Sequence, residues 1–552
     1  MGVRPGRFRM SPTFRRRHFN GWVAGSLLLA ATVALPLISI FSGFLSAGDL
    51  AWQHITEELL PGYLYNTLLL MLGVSLLVLI IGVGSAWVLS VFDFPGRNIL
   101  QWALILPIAM PAYILGFTWA GLLDYTSPVS IFVRNTWGVE TGPYLFFNIL
   151  SLPGAIVILA LSLYPYVYLS AYVWFSNQSA TVFEAAASLG HSRLSQFWRL
   201  AIPMARPAMV AGVSLVLMEV LNDYGVVSYF GVDTFTTGIF TAWFSFGSKI
   251  SAIKLSGYLM ILVFALLIVE RMQRGNKRYD TLKGQYRPYQ KTKLKGFRAY
   301  ATSLLIALPV LLGFAIPAAM LIYWAILTLP LVMDYSFLPL IINSFMLAAS
   351  AAGIVVLATI LTSYTLRSFP SKWIQVLVRF SNMGYAIPGA VLAIGIMVPF
   401  LWMDTQLNLL TQNGRQLILT GTWLTLLFAY LVRFMAVGFN NIESSLTKTS
   451  TSLDEAARSL GHSYRTTLVR IIIPLIRPGV LAAGLLVFID VLKELPLTLI
   501  LRPFNFDTLA IRSYEYATDE RVPEAAPSAL IIIFMGLLAV YLLSKITKNP
   551  VR

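Results

Sequence analysis

The chain has 552 residues, of which 57% are apolar and only 12% charged, with a formal charge of +16 and no cysteine. A chain this long and this apolar is not a soluble globular protein, and without thiols it has neither a disulfide framework nor a Cys-based metal site. In a membrane protein a positive balance reports sidedness before it reports nucleic acid, because Lys and Arg collect on the cytoplasmic face.

In chain order, the first element follows Arg15, Arg16 and Arg17. Its apolar run, from about Trp22, exceeds a signal-peptide core and meets no convincing cleavage site, so it reads as a retained helix. About 20 residues at 1.5 Å each cross the hydrocarbon core. Runs of that kind are predicted at roughly 21–45, 63–92, 99–123, 147–175, 208–230 and 252–270. A second set follows at roughly 300–328, 338–367, 373–402, 418–438, 479–501 and 527–546. Backbone groups in lipid must be satisfied within the segment, so the expectation is an all-α polytopic protein of twelve transmembrane helices. No long polar stretch remains to fold as a soluble domain.

Twelve spans place both termini on one side. With the N-terminus inside, the cytoplasmic segments gather the N-terminal arginines, Arg97, Arg193, Arg199, Arg206 and the run from Arg271 to Arg298. They also take Arg367, Lys372, Arg379, Arg433, Lys448, Arg458, Arg465, Arg470, Arg477, Lys545, Lys548 and Arg552. Outside are Arg134, Lys249, Lys254, Arg415, Lys493, Arg502, Arg512 and Arg521. The asymmetry predicts both termini in the cytoplasm. Residues 271–299, rich in Lys, Arg, Tyr and Gly, read as a basic cytoplasmic linker between 1–270 and 300–552. Anionic lipid headgroups are its natural neighbours, not nucleic acid.

The two halves are copies. Glu184-Ala-Ala-Ala-Ser-Leu-Gly190-His191-Ser192 matches Glu455-Ala-Ala-Arg-Ser-Leu-Gly461-His462-Ser463 at all positions but one. The match continues through Arg199 and Arg470, Ile202-Pro203 and Ile473-Pro474, and Arg206-Pro207 and Arg477-Pro478, at one offset without a gap. Both segments, 184–207 and 455–478, lie between the fourth and fifth spans of their half, so the repeats are parallel. Tyr65-Asn66-Thr67 and Ile342-Asn343-Ser344 give a weaker echo. Locally, Glu-Ala-Ala favours a helix, the glycine stops it, and His-Ser begins a second short helix that Pro203 and Pro474 are expected to end. One such segment alone reads equally well as an amphipathic loop. Two copies in symmetric positions favour a symmetric partner.

The segment resembles the EAA motif of ATP-binding-cassette importer permeases, and the resemblance covers essentially the whole chain. It implies the type I importer permease fold, two parallel six-helix repeats in the bacterial inner membrane. It also implies a periplasmic binding protein outside and two copies of an ATPase inside. Carried over, Glu184, Ala185, Ala186 and Gly190 form one ATPase-coupling element, and Glu455, Ala456, Ala457 and Gly461 the other. The chain itself lacks the Gly-Lys-Ser or Gly-Lys-Thr of a phosphate loop, any helix-borne His-Glu-x-x-His and a nucleophile triad, so ATP and magnesium are expected on the partner and no catalytic residue here. Four histidines, His18, His54, His191 and His462, make a His-based metal site an unpromising reading. Gly82-Val-Gly84 within an apolar span reads as helix packing.

Charges inside spans point to a path. Glu219 and Asp223, spaced i, i+4, share a helix face, and Asp490 and Glu494 occupy the equivalent positions. Asp223 falls about 24 Å along the helix from Pro207, in the outer part of the membrane. Four carboxylates facing a central axis would pass a cation; alternatively they cap the outer interface, with Lys493 pairing one of them. Leu221-Asn-Asp-Tyr-Gly-Val-Val-Ser-Tyr-Phe-Gly231, Asp233-Thr-Phe-Thr-Thr-Gly238 and Lys493-Glu-Leu-Pro-Leu-Thr resemble the ferric-iron permease branch, in which fused halves are common, as they are in thiamine permeases. Carboxylate and phenolate oxygens suit a hard trivalent cation, so Asp223, Tyr224 and Glu494 are candidates for transient Fe(III) contact without a tight metal site. Ferric iron is the first reading, thiamine or another small solute the alternative. An ion-driven secondary transporter is a rival that the repeated motif argues against. A membrane enzyme or scaffold is another, against which the lack of a catalytic constellation counts.

Overall fold

The computed structural model describes residues 21–138, 148–178, 180–274, 291–333, 337–411 and 416–548. The N-terminal arginines and most of the basic linker lie outside these. Among the described residues, ten helices are long and apolar enough to cross a bilayer, and two bent pairs bring the number to as many as twelve. Six fall on each side of the linker. In the first half they are Gly21–Phe44, Leu50–Val91, the pair Arg97–Ala109 and Ala112–Leu123, Leu152–Ser176, Arg193–Asn222 and Lys249–Gln273. In the second they are Phe297–Val332, Phe337–Ser368, Gly389–Thr411, Trp423–Thr447, the pair Tyr464–Leu475 and Arg477–Lys493, and Val522–Leu543.

These helices are apolar all round, as a bilayer requires. On Leu50–Val91, Leu70, Val74 and Val78 are buried, while Leu72, Leu76 and Ile80 are exposed on the other side. Four-residue spacing on both faces makes one a packing face and the other a lipid face. Lipid is as apolar as leucine, so close contact rather than water exclusion must hold neighbouring helices together. Gly82 shows this: a Cβ there would lie 2.9 Å from the Tyr168 backbone nitrogen, where the second and fourth spans cross. Gly84 has open space around it and plays no such part.

Each half packs its second, fourth and fifth spans together. The first span of each half crosses to the other. Gly21–Phe44 lies against Gly389–Thr411 and Lys372–Ser381, and Thr365 donates to the Trp22 carbonyl at 3.3 Å. Reciprocally, Trp119 Nε1 donates to Leu312 O at 2.9 Å, and Ser303 Oγ to Pro95 O at 2.7 Å. A two-residue parallel pairing of Phe92–Asp93 with Thr292–Lys293 joins the linker's end to the first half. The echo between Asn66-Thr67 and Asn343-Ser344 has a structural reason. Thr67 Oγ1 accepts the Phe235 N–H at 3.4 Å, and Ser344 Oγ accepts the Leu509 N–H at 2.8 Å.

Three sequence expectations are corrected. The third and ninth spans, expected at 99–123 and 373–402, are not single rods. Each begins with a short helix, Arg97–Ala103 or Lys372–Ser381, followed by a 3-10 turn and then Pro111 or Pro388. A proline pushes its predecessor into extended conformation, and Met110 and Ile387 sit at ψ 110° and 121°. The spanning segment of the ninth therefore runs later, Gly389–Thr411. The fifth and eleventh helices stop earlier than expected, at Asn222 and Lys493, and short helices Gly225–Tyr229 and Pro496–Leu501 follow. Finally, Pro203 ends nothing, whereas the helix that holds Pro474 does stop one residue later, at Leu475. Each follows a π-turn, Phe197–Ala201 or Leu468–Ile472, which shifts the hydrogen-bond ladder so that the missing proline N–H is not needed. The first-half helix runs on to Asn222, whereas the second bends by 80° at Ile476, just before Arg477-Pro478.

Candidate functional site

The repeated segments fold into matching turns. Helices Ala180–Ser188 and Ser452–Ser459 are each closed by a glycine in the left-handed region, Gly190 and Gly461, both at φ 83°. His191 N–H donates to Ala186 O, and His462 N–H to Ala457 O, both at 3.0 Å. The flanking bonds, Gly190 N–H to Ala187 O and Gly461 N–H to Arg458 O, are also both 3.0 Å. This closure uses orphan carbonyls at the helix end and needs a residue tolerant of positive φ. Ser192 and Ser463 then cap the next helices, accepting from Ser195 N–H at 3.3 Å and Thr466 N–H at 3.2 Å.

Glu184, Ala185, Glu455 and Ala456 are exposed on these turns, together with Gly190 and Gly461. Ala186 and Ala457 face inward and are buried. The motif therefore splits into a presented row and an anchoring row. Leu189 and Leu460 were not singled out from sequence, yet both stand 79% exposed at the turn tips. The signal was available: a leucine before the helix-ending glycine, in both copies.

The charges within the spans converge on one cavity of about 120 Å³ between the halves. Glu219, Asp223 and Tyr224 line it from the first half, and Asp490 and Glu494 from the second. Around them stand Tyr113, Ser162, Tyr166, Asn222, Tyr385, Arg433 and Lys493. Four carboxylates thus face two cations. Glu219 accepts the Tyr385 hydroxyl at 2.9 Å, a bond between halves. Asn222 Oδ1 accepts the Gly389 N–H at 2.6 Å, another. Gly389 is needed here: a Cβ would lie 2.8 Å from Glu494 Oε1 and 3.3 Å from Asn222 Oδ1. Lys493 Nζ pairs with Asp490 at 2.8 Å. Tyr224 stacks on Phe240 with ring centroids 3.7 Å apart.

Asp223 and Glu494 follow the ends of their helices in nearly the same geometry. Asp223 Oδ1 accepts the Val226 N–H at 3.0 Å and the Val227 N–H at 3.2 Å, and Glu494 Oε1 accepts the Leu497 N–H at 3.3 Å. Their own carbonyls accept the hydroxyls of Thr236 and Thr498 at 2.8 and 2.9 Å. They are therefore both helix caps and cavity walls. Among the described residues, no group of three or more His, Asp or Glu side chains is placed to hold a metal ion.

Arg433 corrects the charge map. Counted from sequence as cytoplasmic, it is 5% exposed and sits mid-helix in Trp423–Thr447. Its Nε lies 3.3 Å from Glu494 Oε2 without hydrogen-bond alignment, and Nη1 donates to Ile387 O at 2.9 Å. The helix starts later and runs nine residues beyond the 418–438 window, which places position 433 at depth. A lone arginine inside an apolar run was the signal for it.

Paired bundles, paired turns and a shared polar cavity define a duplicated membrane transport component. A family model described as "binding-protein-dependent transport system inner membrane component" matches residues 78–272 and again residues 355–548, and the chain belongs to that family. It is similar to the Fe(3+)-transport system permease protein FbpB 2 of Haemophilus influenzae, 28% identical across 94% of this chain and 97% of that one. It is also similar to the ferric transport system permease protein FbpB of Actinobacillus pleuropneumoniae, 23% identical across 93% and 76%. The sulfate transport system permease protein CysT of Salmonella typhimurium is 28% identical across 37% of this chain and 72% of its own.

Proposed function

We propose that the chain is the fused permease of an ATP-binding-cassette importer whose cargo is ferric iron. One observation carries the cargo reading: carboxylates from both halves line a single cavity in excess over its cations. The resemblance to ferric permeases over nearly the whole length supports the same cargo. A cavity with net negative lining disfavours the sulfate carried by the shorter relatives, because an anion would meet like charge. Glu219, Asp223, Tyr224, Asp490 and Glu494 form the path, and oxygen donors that do not chelate let the ion leave again.

Residues 1–270 and 300–552 act as the two permease repeats, joined by the basic linker 271–299. Both termini and the turn face are cytoplasmic. The presented rows Glu184, Ala185, Gly190 and Glu455, Ala456, Gly461 receive one ATPase each. The inward Ala186 and Ala457 transmit the ATPase's motion to the bundles. ATP and magnesium belong to that partner, and a periplasmic binding protein delivers cargo at the opposite face.

The test has two arms. Proteoliposomes holding the complete transporter should lose ferric uptake when Asp223→Asn and Glu494→Gln are combined; unchanged uptake would end the pathway reading. Changing Glu184 and Glu455 together to arginine should abolish co-purification with the ATPase. Intact assembly with coupled ATP hydrolysis in that variant would sink the docking assignment. Thiamine uptake in place of iron would move the cargo to an organic cation.

A further inference from the structure

The two halves of the cavity are built alike but filled differently. Ser162 and Arg433 occupy equivalent repeat positions, at the same offset that relates Asp223 to Glu494. The structure keeps the equivalence. Ser162 Oγ donates to Met110 O at 3.4 Å and Arg433 Nη1 to Ile387 O at 2.9 Å. Those carbonyls precede Pro111 and Pro388 at the two matched breaks. Beside Glu494, then, stands a fixed guanidinium; at the equivalent position of the first half, on the wall of the same cavity, stands a serine, which carries no charge.

We propose that Arg433 is a tethered stand-in for the cargo's charge, so that the resting cavity takes an incoming cation at Asp223 and holds Glu494 in reserve. This rests on the cation pathway proposed above and adds to it which carboxylate is open. Among the described residues both hydrogen bonds to the Asp223 carboxylate fall on Oδ1, which leaves Oδ2 open. Two further polar groups line the same cavity. Tyr113 lines the cavity at 6% exposure, with its hydroxyl beside Ser513. Arg433 Nε, also buried, is close to Glu494 but not aligned with it. A guanidinium held off its ideal geometry is displaced more readily than a bidentate one. Once a cation reaches Glu494, Arg433 still has the Ile387 carbonyl to hold it. Its charge then raises the energy of the bound ion and favours release.

Terbium(III), excited through the cavity's tyrosines, reports occupancy directly in the purified full-length chain. Asp223→Asn keeps an acceptor for the Val226 N–H, so the cap survives, and should weaken terbium binding by about tenfold or more, one step of about 1.4 kcal/mol. Glu494→Gln alone should change it by less than about threefold, below that step. Arg433→Met should add a second equivalent that disappears when Glu494→Gln is combined with it. Because Arg433→Met leaves Glu494 buried without its partner, the neutral double variant Arg433→Met with Glu494→Gln is the folding control, and it should bind as the wild type does. Equal loss in Asp223→Asn and Glu494→Gln overturns the inference and leaves the pathway standing. So does a second equivalent that fails to appear or does not need Glu494. No terbium binding in either the wild type or Arg433→Met, with uptake intact in Asp223→Asn, overturns both.

Discussion

In the first half the Gly190 turn rests on Trp87, whose ring meets Phe175, Phe183 and Phe197 at centroid distances of 5.5, 5.6 and 5.5 Å. In the second half the positions equivalent to those three phenylalanines are Leu446, Asp454 and Leu468. There the support is ionic. Arg367 pairs with Asp454 at 2.6 Å and donates to the carbonyls of Leu446 and Ser450, each at 2.8 Å. Yet the turns in front of these supports share φ at the glycine and the lengths of their closing bonds. The turn's shape is set locally, by glycine and a serine cap. What stands behind it need only be contiguous, and either aromatic packing or a hydrogen-bonded ion pair meets that condition.

The strongest way to break the comparison is to remove Arg367. Arg367→Ala strands Asp454 and several carbonyls; loss of one partner of a fully buried pair costs about 3–5 kcal/mol, and this partly buried pair should fall at or below the lower end of that range. Hydrogen exchange should rise sharply across 454–463 and leave 183–192 unchanged. If both turns loosen together, the supports are not independent. Trp87→Ala is the mirror experiment. Loss of a large buried aromatic costs about 3–5 kcal/mol, toward the lower end here because surrounding phenylalanines can close in. Exchange should now rise across 183–192 alone. If the turns dock an ATPase as proposed, its co-purification should weaken in both variants, since each loosens one of the two proposed docks.

Much of this was legible in the sequence, and what was legible was local or repeated. The turns were readable because glycine, serine and alanine act through their own backbones, and because the copies confirm each other. The helices were readable as spans because lipid leaves a backbone few options. Their breaks at Met110 and Ile387 were not, although Pro111 and Pro388 signalled them, because each apolar run continues across the proline. Arg433 was misplaced because a charge tally assigns residues by window edges, while its true partner, Glu494, lies far along the chain. Phe183 and Asp454 gave no hint that they answer one another, since the repeat is unlike at that position. Contacts between halves, such as Tyr385 with Glu219, leave no periodicity to read.

The glycines sharpen the comparison by asking for equality. Both sit at φ 83° with no neighbour within 4 Å of a would-be Cβ, so substitution meets backbone strain and no collision. Gly190→Ala and Gly461→Ala should each cost about 1–2 kcal/mol, the left-handed penalty for an L-residue. Paired thermal-unfolding measurements should agree to within about 0.5 kcal/mol, the usual limit of additivity for separate sites. A clear inequality would show that the supports do shape the turns.

Elsewhere in the first half a carboxylate combines a local cap with a tie to a distant helix. Asp49 caps its own helix, accepting the Trp52 N–H at 2.9 Å, and also accepts the hydroxyls of Ser251 at 3.0 Å and Ser248. Burial pushes its carboxyl upward, but the bonds from Ser248, Trp52 and Ser251 together outweigh that and hold it below the usual carboxylate range. A group depressed in the folded state stabilises it above the unfolded value, near pH 3.9, and loses that contribution as pH falls through the folded value. Stability from this latch should therefore be flat above about pH 5 and decline below about pH 4. Asp49→Ala should cost about 1 kcal/mol at neutral pH, the size of a lost N-cap. It should also remove part of the acid-induced fall in the unfolding temperature. A variant that loses the neutral-pH stability but keeps the full acid response would place that response elsewhere. The local cap would then be the whole of what Asp49 does, and the hydroxyls of Ser248 and Ser251 would hold the last helix of the half through its own first turn, where Ser251 N–H already donates to Ser248 Oγ at 3.0 Å.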